Sequence, residues 1–418
     1  MTWKARDGYV IWIAMLVRFK HLSTRLATVL GLGLLCASVT ACDTSDGESP
    51  EPEAHQGAAE DGARTPFDRG EDAAFEAAVE AQAAGWQHAF GQFLFRHETF
   101  DGNGRTCQTC HTKSSGALSP AQVEAAWADD PDGPLFRALD SDDGTGSSYD
   151  RLREDATVLV NIALPDGWTL VDDPAATTVT FRRGIPTIVN TAALDPVLMY
   201  DGRNASLQEQ AHGAINGHAE PGRQPTEAEL DAIAAFQQIN RFFSNKKLRK
   251  WAQGKAPAPE LPPGGTDAEI RGREWIVPSV EGVCGHCHGG TMLNETTEFL
   301  LAPLPPGTRF FTAFVSEFNN AGNPVHTFEV DNGDGTTTIF DSPDPGRAMI
   351  TGDLADLNAF KIPSLWGAHN TAPYFHDNSA ANFDELNVHY SEYFQAIGLD
   401  PLSAQDIEDI GAYLELLE

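Results

Sequence analysis

Cysteine is scarce in this chain of 418 residues, and none is spare for cross-linking. Of the six cysteines, Cys36 lies in an N-terminal apolar run and Cys42 closely follows it, while the other four occur only as CQTCH (107–111) and CGHCH (284–288). A structural disulfide is therefore excluded, and in an exported chain thiols used only in this pattern are committed to holding a cofactor. Basic residues are also few: 28 Lys and Arg against 60 Asp and Glu leave a formal net charge of −32. That charge repels phosphate backbones, so no nucleic-acid partner is expected. It does attract a small basic protein.

Large apolar side chains are nearly missing from residues 43–75, which are rich in Glu, Asp, Pro, Ala and Gly. Such a stretch cannot repay the entropy of ordering and reads as a disordered acidic tether. Before it, basic residues, the apolar run 26–39 and the tetrad Val39, Thr40, Ala41 and Cys42 make residues 1–42 a lipoprotein signal, with Cys42 carrying the lipid after cleavage. The apolar stretch 10–17 precedes a second basic cluster, Arg18, Lys20 and Arg25, which makes Met15 an alternative start. The reading is of an exported lipoprotein of the bacterial cell envelope, held by a lipid anchor on the periplasmic or outer-surface face of a membrane.

The Pro- and Gly-rich stretch at 256–267 is the clearest internal linker, and it follows the basic cluster Lys246, Lys247, Arg249 and Lys250. It divides the rest into a first domain, 76–255, and a second, 268–418, which share a plan: an amphipathic segment, a glycine, the CxxCH, a long insertion and a closing helix. The closing helices are expected over 226–237 and 403–414, each with a hydroxyl N-cap and an acid three residues later. The best hairpin candidate is 328–340, around Asn332, Gly333, Asp334 and Gly335. The fold class expected is mainly α, with little sheet.

Within one helical turn, positions i, i+3 and i+4 share a face, so both cysteines of a CxxCH can bond a haem's vinyl groups while the histidine reaches the iron. Zinc or a dithiol redox pair would use the cysteines without needing that histidine. Two haems are expected, one on Cys107, Cys110 and His111, the other on Cys284, Cys287 and His288.

The run RGIPTIVNTAALDPVLMYDGRNASLQEQAHGAINGHAEP (183–221) and the run FKIPSLWGAHNTAPYFHDNSAANFDELNVHY (360–390) resemble the bacterial di-haem cytochrome c peroxidases and MauG, a superfamily whose likeness extends over about 85–418. The resemblance implies two cytochrome c-like haem domains with long loop and hairpin insertions, peroxide meeting the first haem and electrons reaching the second from a small cytochrome or similar donor; it also allows a homodimer. Register with the family places its distal glutamate at Glu220, where a carboxylate would move the proton that O–O cleavage needs. Tyr200 stands where the family has a tryptophan between the haems, and could relay an electron. Trp366 replaces an arginine. Calcium is implied through the backbone oxygens of Thr371 and Pro373, although the family's asparagine ligand aligns with Gly184.

Fourteen residues after His376, where peroxidases carry a methionine and MauG a tyrosine, this chain has Tyr390 as the expected sixth ligand of the second iron, with His389 and Met349 as alternatives. No histidine lies between His111 and His212, so the loop that blocks the first iron in many relatives has no histidine to offer, leaving Met199 or His218 as competitors of an open site. The leading expectation is reduction of hydrogen peroxide to water. The alternatives are MauG-like oxidation of a protein or organic substrate through haem at high oxidation state, and a membrane-anchored electron carrier without catalysis.

Overall fold

A computed structural model describes residues 84–239, 242–300, 302 and 304–418. The signal with Cys42, the alternative start and the tether lie outside the described residues.

Seven helices reach ten residues among those described: α1 (84–97), α2 (Pro120–Asp129), α3 (Leu207–His218), α4 (Glu227–Gln237), α5 (Asp267–Ile276), α6 (Phe383–Ala396) and α7 (Ala404–Glu415). Their starts follow local chemistry. Thr226, Thr266 and Ser403 each cap a helix while Glu229, Glu269 and Asp406 reach back to the cap, so two otherwise unpaired N–H groups are satisfied at each start. Both closing helices thus stand where their caps place them.

The same crossing occurs twice. Gly91 of α1 lies so close to α4 that a Cβ added there would sit 1.8 Å from the Ala232 oxygen and 2.9 Å from Phe236 Cβ. Gly272 of α5 meets α7 in the same way, 1.9 Å from the Asp409 oxygen and 2.8 Å from Tyr413 Cβ. In each half, then, the helix before the CxxCH and the helix that closes the segment touch backbone to backbone, which only glycine permits.

The strands come from insertions. β1 (Thr157–Ala163) and β3 (Thr178–Gly184) pair antiparallel, Thr157 opposite Gly184. The expected hairpin is present as β5 (His326–Asp331) and β6 (Thr337–Ser342), Asp331 opposite Thr337. It is not isolated: β2 (Trp168–Leu170) adds to β5, so one three-stranded sheet takes strands from both sides of the 256–267 stretch. β4 (Phe310–Phe311) and β7 (Phe360–Lys361) form a short third pair.

Among the described residues, three of the four buried apolar clusters lie against the CxxCH cysteines. Leu94, Phe95, Ile233 and Phe236 pack with Cys107; Val158, Phe181, Phe328 and Met349 pack with Cys110; Ile276, Met292, Trp366 and Tyr413 pack with Cys284. The first CxxCH therefore lies between two clusters, and the second has its own. No helix among the described residues is long and apolar enough to cross a membrane.

Candidate functional site

Cys107–Cys110 forms a single helical turn capped by Thr106, and Cys284–His286 forms a 3-10 turn. His111 Nδ1 donates to the Gly116 carbonyl and His288 Nδ1 to the Leu293 carbonyl, both at 2.8 Å and both five residues ahead. A carbonyl can only accept, so the proton sits on Nδ1 and each Nε2 keeps its lone pair. Burial lowers the pKa of both rings, which favours the neutral form that a metal requires. The free thiols behave differently from a redox pair. Burial pushes Cys107 up to about 12, Cys110 to about 11, and Cys284 and Cys287 each to about 12, whereas a dithiol catalyst needs a depressed value.

Beside the first motif, the chain after α3 returns to the segment that enters the CxxCH. Asn103 N donates to the Ala219 carbonyl at 2.8 Å, and Asn103 Nδ2 donates to Glu220 Oε2 at 2.9 Å and to the His218 carbonyl at 3.0 Å. Glu220 is exposed and has φ +46°, a left-handed conformation uncommon for a residue with a side chain. Arg105, 3% exposed, anchors this corner by pairing with Asp140 and donating to the Pro134, Leu135 and His218 carbonyls. Two buried polar atoms here lack a protein partner, Gln108 Oε1 inside the motif and His218 Nδ1. Burial also lowers the His218 pKa.

Tyr390, on α6, is buried within electrostatic reach of the second motif. Its phenol is held above the usual range by burial and then by the nearby Cys287 and Cys284 thiols. Of the other expected candidates, His389 donates from Nε2 to the Ala313 carbonyl at 2.7 Å and keeps a buried Nδ1 without a protein partner, and Met349 packs in the cluster of Val158 and Phe328 that also holds Cys110. Trp366 fills the core next to Cys284 and donates through Nε1 to the Thr291 carbonyl at 2.8 Å.

Tyr200 lies at the junction of the two halves. Its carbonyl accepts from Lys361 N at 2.7 Å, and its ring stands 6.5 Å from His376, which is stacked on Phe360 at 3.6 Å. Burial first, then Asp377, raises its pKa. Sequence reasoning missed the ion network below it. Arg183, 1% exposed, donates from Nε and NH2 to Asp344 at 2.7 and 2.8 Å and from NH1 to Asp201, which also pairs with Arg203. Burial alone would lower this guanidinium, but Asp344 and Asp201 outweigh it and hold it above its usual value. Arg183, Asp201 and Arg203 stood in the quoted RGIP and DGR runs without a role; Asp344 carried no local signal. Thr371 and Pro373 lie in the loop before His376, and no cluster of His, Cys, Asp and Glu among the described residues could hold a metal. Gly184, where the family's asparagine aligns, is occupied from another direction: an added Cβ would meet Asn378 Oδ1 at 2.1 Å.

Residues 86–250 match the family described as di-haem cytochrome c peroxidase. Over that stretch the chain is similar to the di-haem cytochrome c peroxidases. Cytochrome c551 peroxidase of Nitrosomonas europaea is 46% identical over 44 residues, a match that spans 10% of this chain and only 13% of that protein. Among solved structures, a MauG-like protein associated with microbial copper homeostasis aligns over 79% of this chain and 89% of its own at 18% identity and a TM-score of 0.47. The diheme peroxidase BthA from Burkholderia thailandensis aligns over 79% and 85% at 14% identity and a TM-score of 0.42. Similarity to a di-haem family implies two c-type haems, and the paired Nδ1 hydrogen bonds of His111 and His288 fit that group.

Proposed function

We propose that this chain reduces hydrogen peroxide to two waters, using two electrons and two protons, with peroxide at the haem of Cys107, Cys110 and His111 and electrons arriving at that of Cys284, Cys287 and His288. On this reading the division into 76–255 and 268–418 around the 256–267 linker is one of two haem domains, each attached covalently through its cysteines. When bound, the first haem supplies the iron that takes up peroxide and the electrons that cleave it. Glu220 takes the proton from the near peroxide oxygen and returns it to the far one, which leaves as water. The observation that carries this is the position of Glu220, held by Asn103 beside the approach to the first motif in a conformation the chain adopts at cost. An electron carrier has no use for it.

With the first haem bound, His218 and Met199 are the residues that would block its distal side, and on this reading neither would do so. Tyr200 relays electrons across the junction, calcium sits on the Thr371 and Pro373 carbonyls, and Cys42 anchors the exported protein to the envelope membrane. A small cytochrome or similar protein is the donor; a homodimer is compatible with this reading. MauG-like oxidation of a protein or organic substrate is the second reading, favoured by a buried Tyr390 within electrostatic reach of Cys287 and Cys284.

The test is steady-state peroxide turnover by the holoprotein and by Glu220→Gln. The variant is expected to lose at least about 100-fold in kcat with unchanged haem content, the size of a general acid–base contribution. Equal turnover by both proteins overturns the role of Glu220.

A further inference from the structure

Positive charge is not spread evenly over this acidic chain. Residues 232–259 hold Arg241, Lys246, Lys247, Arg249, Lys250 and Lys255 and not one Asp or Glu, in a chain with 60 acids. Half of the chain's lysines fall within 246–255. The short helix Lys246–Ala252, capped by Asn245, orders them. Leu248, fully buried, and Trp251 turn inward onto the cluster that holds Cys284, Trp366 and Tyr413. Lys246, Lys247 and Lys250 are exposed on the outside, and Lys255 follows just beyond.

The seat of this helix is tied down. Asn190 Nδ2 donates to Ser244 Oγ at 3.0 Å and to the Trp366 carbonyl at 2.8 Å, and Ser244 N donates to Asn190 Oδ1 at 2.8 Å. Elsewhere on the surface Arg153, Arg223, Arg271 and Arg309 each face a carboxylate. Among the described residues none of these four lysines has one. The result is a fixed cationic face on the wall of the second motif, left unneutralised in a molecule of net charge −32.

We propose that this face is the docking site of an electron-donor protein whose own contact surface is acidic. The inference rests on the reading that electrons arrive at the second motif. At physiological ionic strength charges are screened over about 8 Å, so a docked partner feels the lysines beneath it more than the acidic remainder. A lysine-rich donor would be drawn to the molecule as a whole and repelled from this face. An acidic donor is repelled everywhere except here, which gives it one orientation, with its redox centre towards Cys284.

The experiment uses the holoprotein, the triple variant Lys246→Glu, Lys247→Glu, Lys250→Glu, and the milder triple with Gln. Each is assayed for peroxide reduction with a small acidic cytochrome c, a small lysine-rich cytochrome c, and the dye ABTS, which needs no docking. For the acidic cytochrome, kcat/KM is expected to fall about tenfold or more in the Glu triple and less in the Gln triple, with loss of its salt dependence. The ABTS rate and haem spectra should stay unchanged. The proposal is overturned if the acidic cytochrome is indifferent to the Glu triple, if the lysine-rich one is the better donor to the wild type at low salt, or if the triple loses only binding to phosphatidylglycerol vesicles. Should the wild type fail to turn over even ABTS, the peroxidase reading fails. Docking is then judged by the Kd of the acidic cytochrome: weakening of about tenfold in the Glu triple supports it, and no change overturns it.

Discussion

Glu220 and Tyr390 reach their sites by different means. Glu220 is positioned by local hydrogen bonds: the Asn103 side chain holds both its carboxylate and the preceding turn, and a left-handed residue of this kind costs roughly 1 kcal/mol or more. Tyr390 is positioned by helix phase. On α6 it shares a face with Tyr393 and Phe394, and its phenol is kept protonated by burial and by the Cys287 and Cys284 thiols when these are free. An iron beside it would draw the proton away, because a phenolate is a far better ligand than a phenol. Tyr390→Phe is therefore expected to change the spectrum and lower the stability of the oxidised state of one haem only, leaving the other unaltered. Redox titration of the two haems checks this, and an unchanged pair of potentials removes Tyr390 from the ligand set.

The helices before each CxxCH depend on glycine more than on propensity. Gly91 and Gly272 are poor helix residues, yet each lets its helix touch the closing helix at a spacing no side chain allows. Replacing either by alanine is expected to destabilise the protein by about 1–3 kcal/mol, since the added methyl meets backbone and cannot be accommodated by a rotamer change. Urea unfolding of Gly91→Ala and Gly272→Ala measures it, with Gly213→Ala, which faces open space in α3, as the control that should be neutral or stabilising. At the same level, Arg223 and Thr226 hold the Glu229 carboxyl down at about 2. Its unfolded value is near 4.5, so this contribution to stability is complete above pH about 4.5 and is lost as pH falls towards about 2.

Across the whole molecule the two halves are joined by buried charge and by a shared sheet. Arg183 reaches Asp344 across 161 positions of sequence, Lys361 reaches Asp195, and β2 pairs with β5. Removing one partner leaves an uncompensated charge in the interior, so Asp344→Asn is expected to cost on the order of 3–5 kcal/mol, measured by denaturant unfolding of the holoprotein. A loss under about 0.5 kcal/mol would mean that water reaches Arg183 and the joint is not sealed. The CxxCH turns, the two closing helices and the 326–342 hairpin were legible because each rests on residues within a few positions of one another: a CxxCH turn, a cap with its acid, a turn between alternating strands. The β1–β3 pair, the third strand of the shared sheet and the corner that holds Glu220 were not, because their partners are far apart in sequence and nothing local marks them. Asn378 filling the space over Gly184 is the same case. Local chemistry is enough to mark the CxxCH turns and where helices begin. Which charges meet, and which face of each half turns to the other, follows from packing alone, since burying Arg183 is tolerable only once Asp201 and Asp344 have been brought to it.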